Sequence, residues 1–183
     1  KTLKINPNLS TAEVNLGLAY SKSGNEKLAI KHYKHAISLD PKSYIAHFNL
    51  GSLYKKRGDL ENSEKYLNNS IQINPKIIPA YNNLFELYDK SNQLEKLDLL
   101  IKRLQINFGG SPIIDFYTGI LKYKKKNYFD VISTFEKIKL DHRDLKRLTV
   151  KNEILAKSYD YIGDYKKAFI FFDLFNKIEK ILL

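Results

Sequence analysis

The sequence predicts an all-α solenoid of about five stacked helix pairs, and three observations predict it. First, Asn15-Leu16-Gly17, Asn49-Leu50-Gly51 and Asn83-Leu84-Phe85 recur every 34 residues, a fixed period that marks a repeat architecture. Second, Leu16, Gly17 and Tyr20 share a helical face with Glu13 at i, i+3, i+4 and i+7, while Ala29, Tyr33 and Ala36 follow at i, i+4 and i+7. Third, breakers punctuate each unit at one register: Gly24 and Gly58 mid-unit, Asp40-Pro41 and Asn74-Pro75 at its end. Neither helix of a pair can bury its stripe alone, so successive pairs must stack.

Taken in order, residues 1–9 read as the end of a preceding repeat, because Ile5-Asn6-Pro7 falls one period before Leu39-Asp40-Pro41. On that reading the chain is a piece of a longer protein. Repeat 1 spans 10–43; its first helix is expected to start near Ser10 or Thr11, with Ser23-Gly24-Asn25 as the turn and Pro41 as the stop. Repeat 2 spans 44–77 on the same plan, with Arg57-Gly58-Asp59 as its turn. Repeat 3, 78–111, is degenerate: Asn92 replaces the turn glycine, which asparagine tolerates, and Leu97, Ile101 and Leu104 replace small and aromatic residues. Gly109-Gly110-Ser111-Pro112 is the expected soft joint of the chain. Repeat 4 spans 112–148 with a loop, recognisable by Gly119, Tyr128, Val131, Phe135 and Ile138. Repeat 5, 149–183, carries Leu155, Ala156, Tyr159, Gly163, Ala168 and Phe172 three residues late, which places extra residues within 140–148. Its last helix is apolar nearly all round, and Phe171 and Phe175 are expected to meet an adjoining domain or a second copy in a homodimer.

These residues resemble the tetratricopeptide repeat (TPR) family. Repeat 1 matches its pattern at Leu16, Gly17, Tyr20, Gly24, Ala29, Tyr33, Ala36 and Pro41; repeat 2 matches at Leu50, Gly51, Tyr54, Gly58 and Pro75, with Ser63 and Ser70 in place of alanines. Glu13 departs from it, standing where the family has a large residue. The resemblance implies a right-handed superhelix of antiparallel helix pairs with the first helices lining a concave groove.

Bulk composition narrows the function. The chain of 183 residues has no cysteine, which excludes a disulfide framework and thiolate metal sites. No stretch approaches the roughly 18 consecutive apolar residues of a membrane span, and no secretory signal is visible, so a cytoplasmic location is expected. The net charge of +11 suits nucleic acid or acidic partners, and equally a biased composition rich in Lys, Asn and Ile. The densest basic run, Lys122 to Lys126, lacks any RNA-binding fingerprint, so nucleic acid is not the expected partner. His32 and His35, spaced i and i+3, lack a third ligand and read as a solvated pair, while His47 reads as packing. No nucleophile–base pair, phosphate loop, metal set or cofactor motif is present, so no catalytic activity and no cofactor are expected.

The candidate binding residues come from repetition. Asn15, Asn49 and Asn83 precede the Leu-Gly position in successive repeats. An amide both donates and accepts, so a row of them can hold a peptide backbone without reading its sequence; the same amides can instead pair within the stack. The row resembles the asparagine ladder of the O-GlcNAc transferase TPR array, which implies an extended protein or peptide segment as ligand. Phe48, Asn82 and Phe116 stand one residue earlier on the expected groove face. Lys22, Lys56, Lys90 and Lys124 recur 34 apart and suit an acidic peptide, or a solvated rim. Val14 and Leu18 occupy slots that chaperone-binding TPRs fill with Lys and Asn, which argues against that ligand.

Residues 116–176, through Phe116, Gly119, Tyr128, Phe135-Glu136-Lys137-Ile138, Gly163-Asp164-Tyr165, Ala168-Phe169, Phe172 and Asn176, also resemble the closing repeats ahead of a bacterial sulfotransferase domain. That resemblance implies substrate recruitment for an enzyme domain outside this chain. The three expectations are therefore a non-catalytic peptide-binding scaffold, the recruiting region of a larger enzyme, and a self-association module.

Overall fold

The computed structural model describes residues 7–183, so the expectation for Lys1 to Asn6 lies outside the described residues. The described residues form ten α-helices and no strand. They divide into two compact units, Lys1–Gln93 and Leu94–Leu183. The division falls within the third repeat, and the expected joint at 109–112 lies inside the second unit.

The first unit holds α1 (Pro7–Lys22), α2 (Glu26–Leu39), α3 (Tyr44–Lys56), α4 (Leu60–Ile73) and α5 (Ile78–Lys90). Antiparallel partners α1/α2 and α3/α4 pack tightly, and α3 and α5 each lean on the pair before them. One cluster shows the rule. Ala29, Tyr33 and Ala36 of α2 are buried together with Ala46, Leu50, Leu53 and Tyr54 of α3. The inner stripe of each second helix is thus covered by the first helix of the next repeat. Glycine sets the approach within a pair: a Cβ on Gly17 would lie 2.6 Å from the Tyr33 ring, and one on Gly51 2.8 Å from Leu67 Cγ.

The second unit holds α6 (Leu94–Phe108), α7 (Pro112–Lys124), α8 (Tyr128–Lys137), α9 (Leu145–Tyr161) and α10 (Tyr165–Leu182). Gly119 repeats the close crossing, since a Cβ there would come within 2.3 Å of Phe135. The three-residue shift of repeat 5 lies in α9, which starts at Leu145 and runs 17 residues against 13 for α3, α5 and α7, while α8 stops early, at Lys137, and leaves a longer link. Asp144 caps α9 by accepting from the Arg147 amide.

The turns explain the punctuation. Gly24, Gly58, Asn92, Lys126 and Gly163 occupy one register, and all five have positive φ, between 53° and 83°. Each lets the chain reverse in three residues. The residue after it caps the next helix at Asn25, Asp59, Asn127 and Asp164, whose side chains accept from the amide three residues on. Lys126, the end of the basic run, is thus a turn residue held at φ 59°, where an L side chain costs about 1–2 kcal/mol.

The start of α1 differs from expectation. The helix begins at Pro7, and Ser10 is buried within it. Its hydroxyl does not cap α1; it donates to the Ala36 carbonyl of α2 at 3.0 Å. Proline at the first helical position needs no amide partner, which lets the helix start earlier. Leu16 is also 45% exposed, whereas Leu50 at the same register is fully buried. Leu50 faces the pair before it, and among the described residues no pair precedes α1.

Candidate functional site: the first-helix face of the first unit

Helices α1, α3 and α5 present the same registers side by side, and the asparagines lie among them. Asn83 on α5 is bonded across to α3: its Nδ2 donates to Ser52 Oγ at 2.8 Å, and its Oδ1 accepts from Lys55 Nζ at 2.6 Å. Lys55 also meets Glu86 at 2.7 Å, and the Ser52 hydroxyl donates to the Phe48 carbonyl. Asn49 is half-buried and Asn15 exposed. Neither side-chain amide has a hydrogen-bond partner among the described residues. The registers that meet Asn83 hold Leu18 and Ser21 one repeat earlier, and neither bonds the Asn49 amide, which stays partly open to solvent. One of the three amides is thus engaged within the fold and two are available.

The neighbouring candidates separate by burial. Asn82 and Phe48 are half-buried on this face. Phe116 of the second unit corrects the expectation: it is 4% exposed and packs between Tyr117 and Phe135, with Arg147 over its ring. Val14, at the same register, is also buried. That register is thus buried at Val14 and Phe116 and half-buried at Phe48 and Asn82.

The lysine row lies along the edge where the first helices end. Lys56 pairs with Glu26 at 3.2 Å. Lys22 and Lys90 are exposed, and Lys124 is half-buried. A cleft of about 450 Å³ lies at this edge between Lys55, Lys56, Leu60, Glu86, Leu87 and Lys90. The basic run of the second unit is dispersed: Lys122 donates to Thr134 at 2.9 Å and Lys125 reaches Asp98 at 3.5 Å.

Two interactions escaped the sequence. Glu13, in the slot that normally holds a large residue, accepts from both histidines of α2: His32 Nδ1 at 2.6 Å and His35 Nδ1 at 3.1 Å. His32 stacks on Tyr20, with centroids 5.1 Å apart. The solvated-pair expectation therefore fails for His32, which is half-buried against the carboxylate, while His35 stays exposed. The hydrogen bond from His32, with help from His35, holds the Glu13 carboxyl below its usual 4.5 against the opposing effect of burial. In repeats 2 and 3 the same slot donates to the preceding proline: His47 Nε2 to the Pro41 carbonyl and Tyr81 Oη to the Pro75 carbonyl, each at 3.1 Å. Burial pushes the His47 imidazole below 6.5, opposed by that hydrogen bond. The signal was legible only as a register, since three unlike side chains share it.

Among the described residues no cluster of three or more His, Cys, Asp or Glu could hold a metal, and no helix is long and apolar enough to cross a membrane.

Two family descriptions match the chain: "TPR repeat" over residues 17–58 and "Tetratricopeptide repeat" over 44–77. No curated protein matches the sequence. Solved structures match it along nearly its whole length. MamA from Desulfovibrio magneticus RS-1 is 13% identical with a TM-score of 0.74, covering 94% of this chain and 96% of its own. YrrB, described as a TPR protein with an unusual peptide-binding site, is 15% identical with a TM-score of 0.71, covering 93% and 87%. A tetratricopeptide repeat protein from Parabacteroides merdae is 21% identical with a TM-score of 0.70, covering 92% and 64%. At these identities the likeness is one of fold.

Proposed function

The chain is a tetratricopeptide-repeat protein, and we propose that it works as a non-catalytic scaffold whose first unit holds an extended peptide along α1, α3 and α5. The observation that carries this reading is the row at Asn15, Asn49 and Asn83, of which the first two amides are without internal partners. A half-buried amide with no partner inside the fold can exchange water for a ligand that both donates and accepts, and an extended backbone does so at every residue. The peptide-binding site described for YrrB, which shares the fold, is consistent with such a use.

Charge contributes less to recognition than composition suggests. Lys55 and Lys56 are already neutralised by Glu86 and Glu26. The ligand is held by its backbone, with Phe48 as an apolar contact, and an acidic sequence is not required. The test is selection from a random linear peptide library displayed on phage, followed by calorimetry of a selected peptide. Asn49→Ala should weaken binding about tenfold, as expected for the loss of one or two buried hydrogen bonds, and 0.5 M salt should change it little. Equal affinity for wild type and the Asn15→Ala/Asn49→Ala double variant, with helicity retained, refutes the reading.

A further inference from the structure

Along the turn edge, the residue that opens a second helix meets the residue that closes the next first helix, and each such junction is filled differently. Glu26 opens α2 and Lys56 closes α3; they form an ion pair at 3.2 Å, and Arg57 reaches the same carboxylate at 3.8 Å. Tyr128 opens α8 and Tyr161 closes α9; their rings pack with centroids 4.1 Å apart. Leu94 and Lys124 hold these places in α6 and α7, and Lys124 is half-buried and engaged. Leu60 opens α4 and Lys90 closes α5, and a leucine offers that ammonium no counter-charge. Leu60 is 46% exposed. Lys90 is exposed and has no ion pair or hydrogen bond with a described residue. The cleft of about 450 Å³ lies here, lined by Leu60, Leu87 and Lys90 and edged by Lys55 and Lys56.

We propose that this cleft takes one acidic side chain of a partner protein together with the apolar residue beside it. The incoming carboxylate stands to Lys90 as Glu26 stands to Lys56, and the apolar group covers Leu60 and Leu87. Charge complementarity selects an anion. The lining carries three ammonium groups and one carboxylate, Glu86. Glu86 is bonded to Lys55 at 2.7 Å, and Lys56 is held by Glu26, so the Lys90 charge is the surplus. The cleft also lies at the first turn of α4, where the helix dipole favours a negative group. The junction before it is already filled by Glu26, so the cleft admits a single acidic residue rather than an acidic run. The site is separate from the asparagine row: Lys90 lies seven residues, about 10 Å, along α5 from Asn83, and its occupation does not require a peptide on that row.

The test titrates the full chain with a blocked tripeptide of glutamate between two leucines, and with its glutamine counterpart, following leucine methyl and lysine ε signals by nuclear magnetic resonance. The glutamate peptide should shift Leu60, Leu87 and Lys90 together, with a dissociation constant of about 1 mM. The glutamine peptide should bind about tenfold more weakly, as expected for the loss of one charge-assisted hydrogen bond. Lys90→Met keeps an unbranched stem at an exposed position and should bring the two peptides to one affinity. Leu60→Glu should rebuild within the chain the arrangement of Glu26 and Lys56. Its urea midpoint should equal or exceed that of the wild type, because an acid suits the first turn of a helix, while the Leu87 methyls no longer respond to either peptide. Asn15→Ala/Asn49→Ala should leave the titration unchanged, which separates this site from the first-helix face. Equal affinity of the wild type for both peptides, no shift with either, or a preference for glutamate that survives Lys90→Met overturns the proposal. So does hexanoate binding more tightly than the glutamate peptide, which assigns the cleft to a free acid.

Discussion

Adding one methyl group at Gly51 tests the helix crossing on which the first unit is built. In an open helix, glycine to alanine gains about 1 kcal/mol. Here the new Cβ would lie 2.8 Å from Leu67 Cγ and 3.0 Å from the Leu67 backbone nitrogen. Leu67 is fully buried, and its backbone belongs to α4, so the strain cannot be relieved by turning one side chain. Overpacking of this kind costs about 1–3 kcal/mol, and the backbone contact points to the upper half. The net expectation for Gly51→Ala is a loss of about 1–2 kcal/mol, read as a lower urea midpoint at unchanged m-value by far-ultraviolet circular dichroism. A double-mutant cycle sharpens it. Leu67→Ala alone should cost about 2–5 kcal/mol, and the pair should be less unstable than the sum of the singles, since the methyl added at position 51 enters the space that Leu67 vacates. A Gly51→Ala protein as stable as wild type, or a strictly additive pair, would refute the close-crossing argument.

Other positions give sharper signs than sizes. Ser63 Oγ is buried with no partner, whereas Ser70 Oγ donates to the Tyr44 carbonyl at 2.9 Å; Ser63→Ala should stabilise and Ser70→Ala destabilise, each by about 1 kcal/mol in the same urea titration. Lys126→Gly should raise stability by about 1 kcal/mol by relieving its positive φ, and a neutral or lower midpoint would contradict that. His47 has a folded value depressed below 6.5 by burial; its contribution is complete above 6.5 and is lost as pH falls through the folded value, and His47→Tyr, which can donate to the Pro41 carbonyl as Tyr81 does to Pro75, should flatten that part of the stability profile. The Glu13 carboxyl is likewise depressed, so its contribution is complete above 4.5 and lost on further acidification; Glu13→Gln should remove this acid-side slope, measured as urea midpoints from pH 3 to 6.

How much of this is legible in the sequence depends on what sets each feature. The period, the turn register and the buried stripes are properties of one residue type recurring at one spacing, so Gly17, Tyr33 and Pro41 announce them directly. The start of α1 is misleading in the sequence because Ser10 has the side chain of a cap, and only its distance from Ala36 reveals the cross-helix bond. The Glu13–His32–His35 cluster is hidden because it joins unlike residues across two helices, at a slot where the pattern asks for bulk. Phe116 and Phe171 point outward by register, but each ring packs on an aromatic of the paired helix, Phe135 and Tyr159, which no spacing along one helix reveals. For the candidate face, the sequence supplies the three asparagines; which are engaged is set by the identity of residues three and six positions further along the preceding repeat, Ser52 and Lys55 in one case and Leu18 and Ser21 in the other.

The most direct measurement is a spectrum of asparagine side-chain amides, labelled selectively with nitrogen-15, during titration with a library-selected linear peptide. The scaffold reading predicts that the Nδ2 protons of Asn15 and Asn49 shift and saturate together, while those of Asn83 move less because Ser52 and Lys55 already hold that amide. A peptide that saturates the protein while leaving Asn15 and Asn49 unmoved would contradict it.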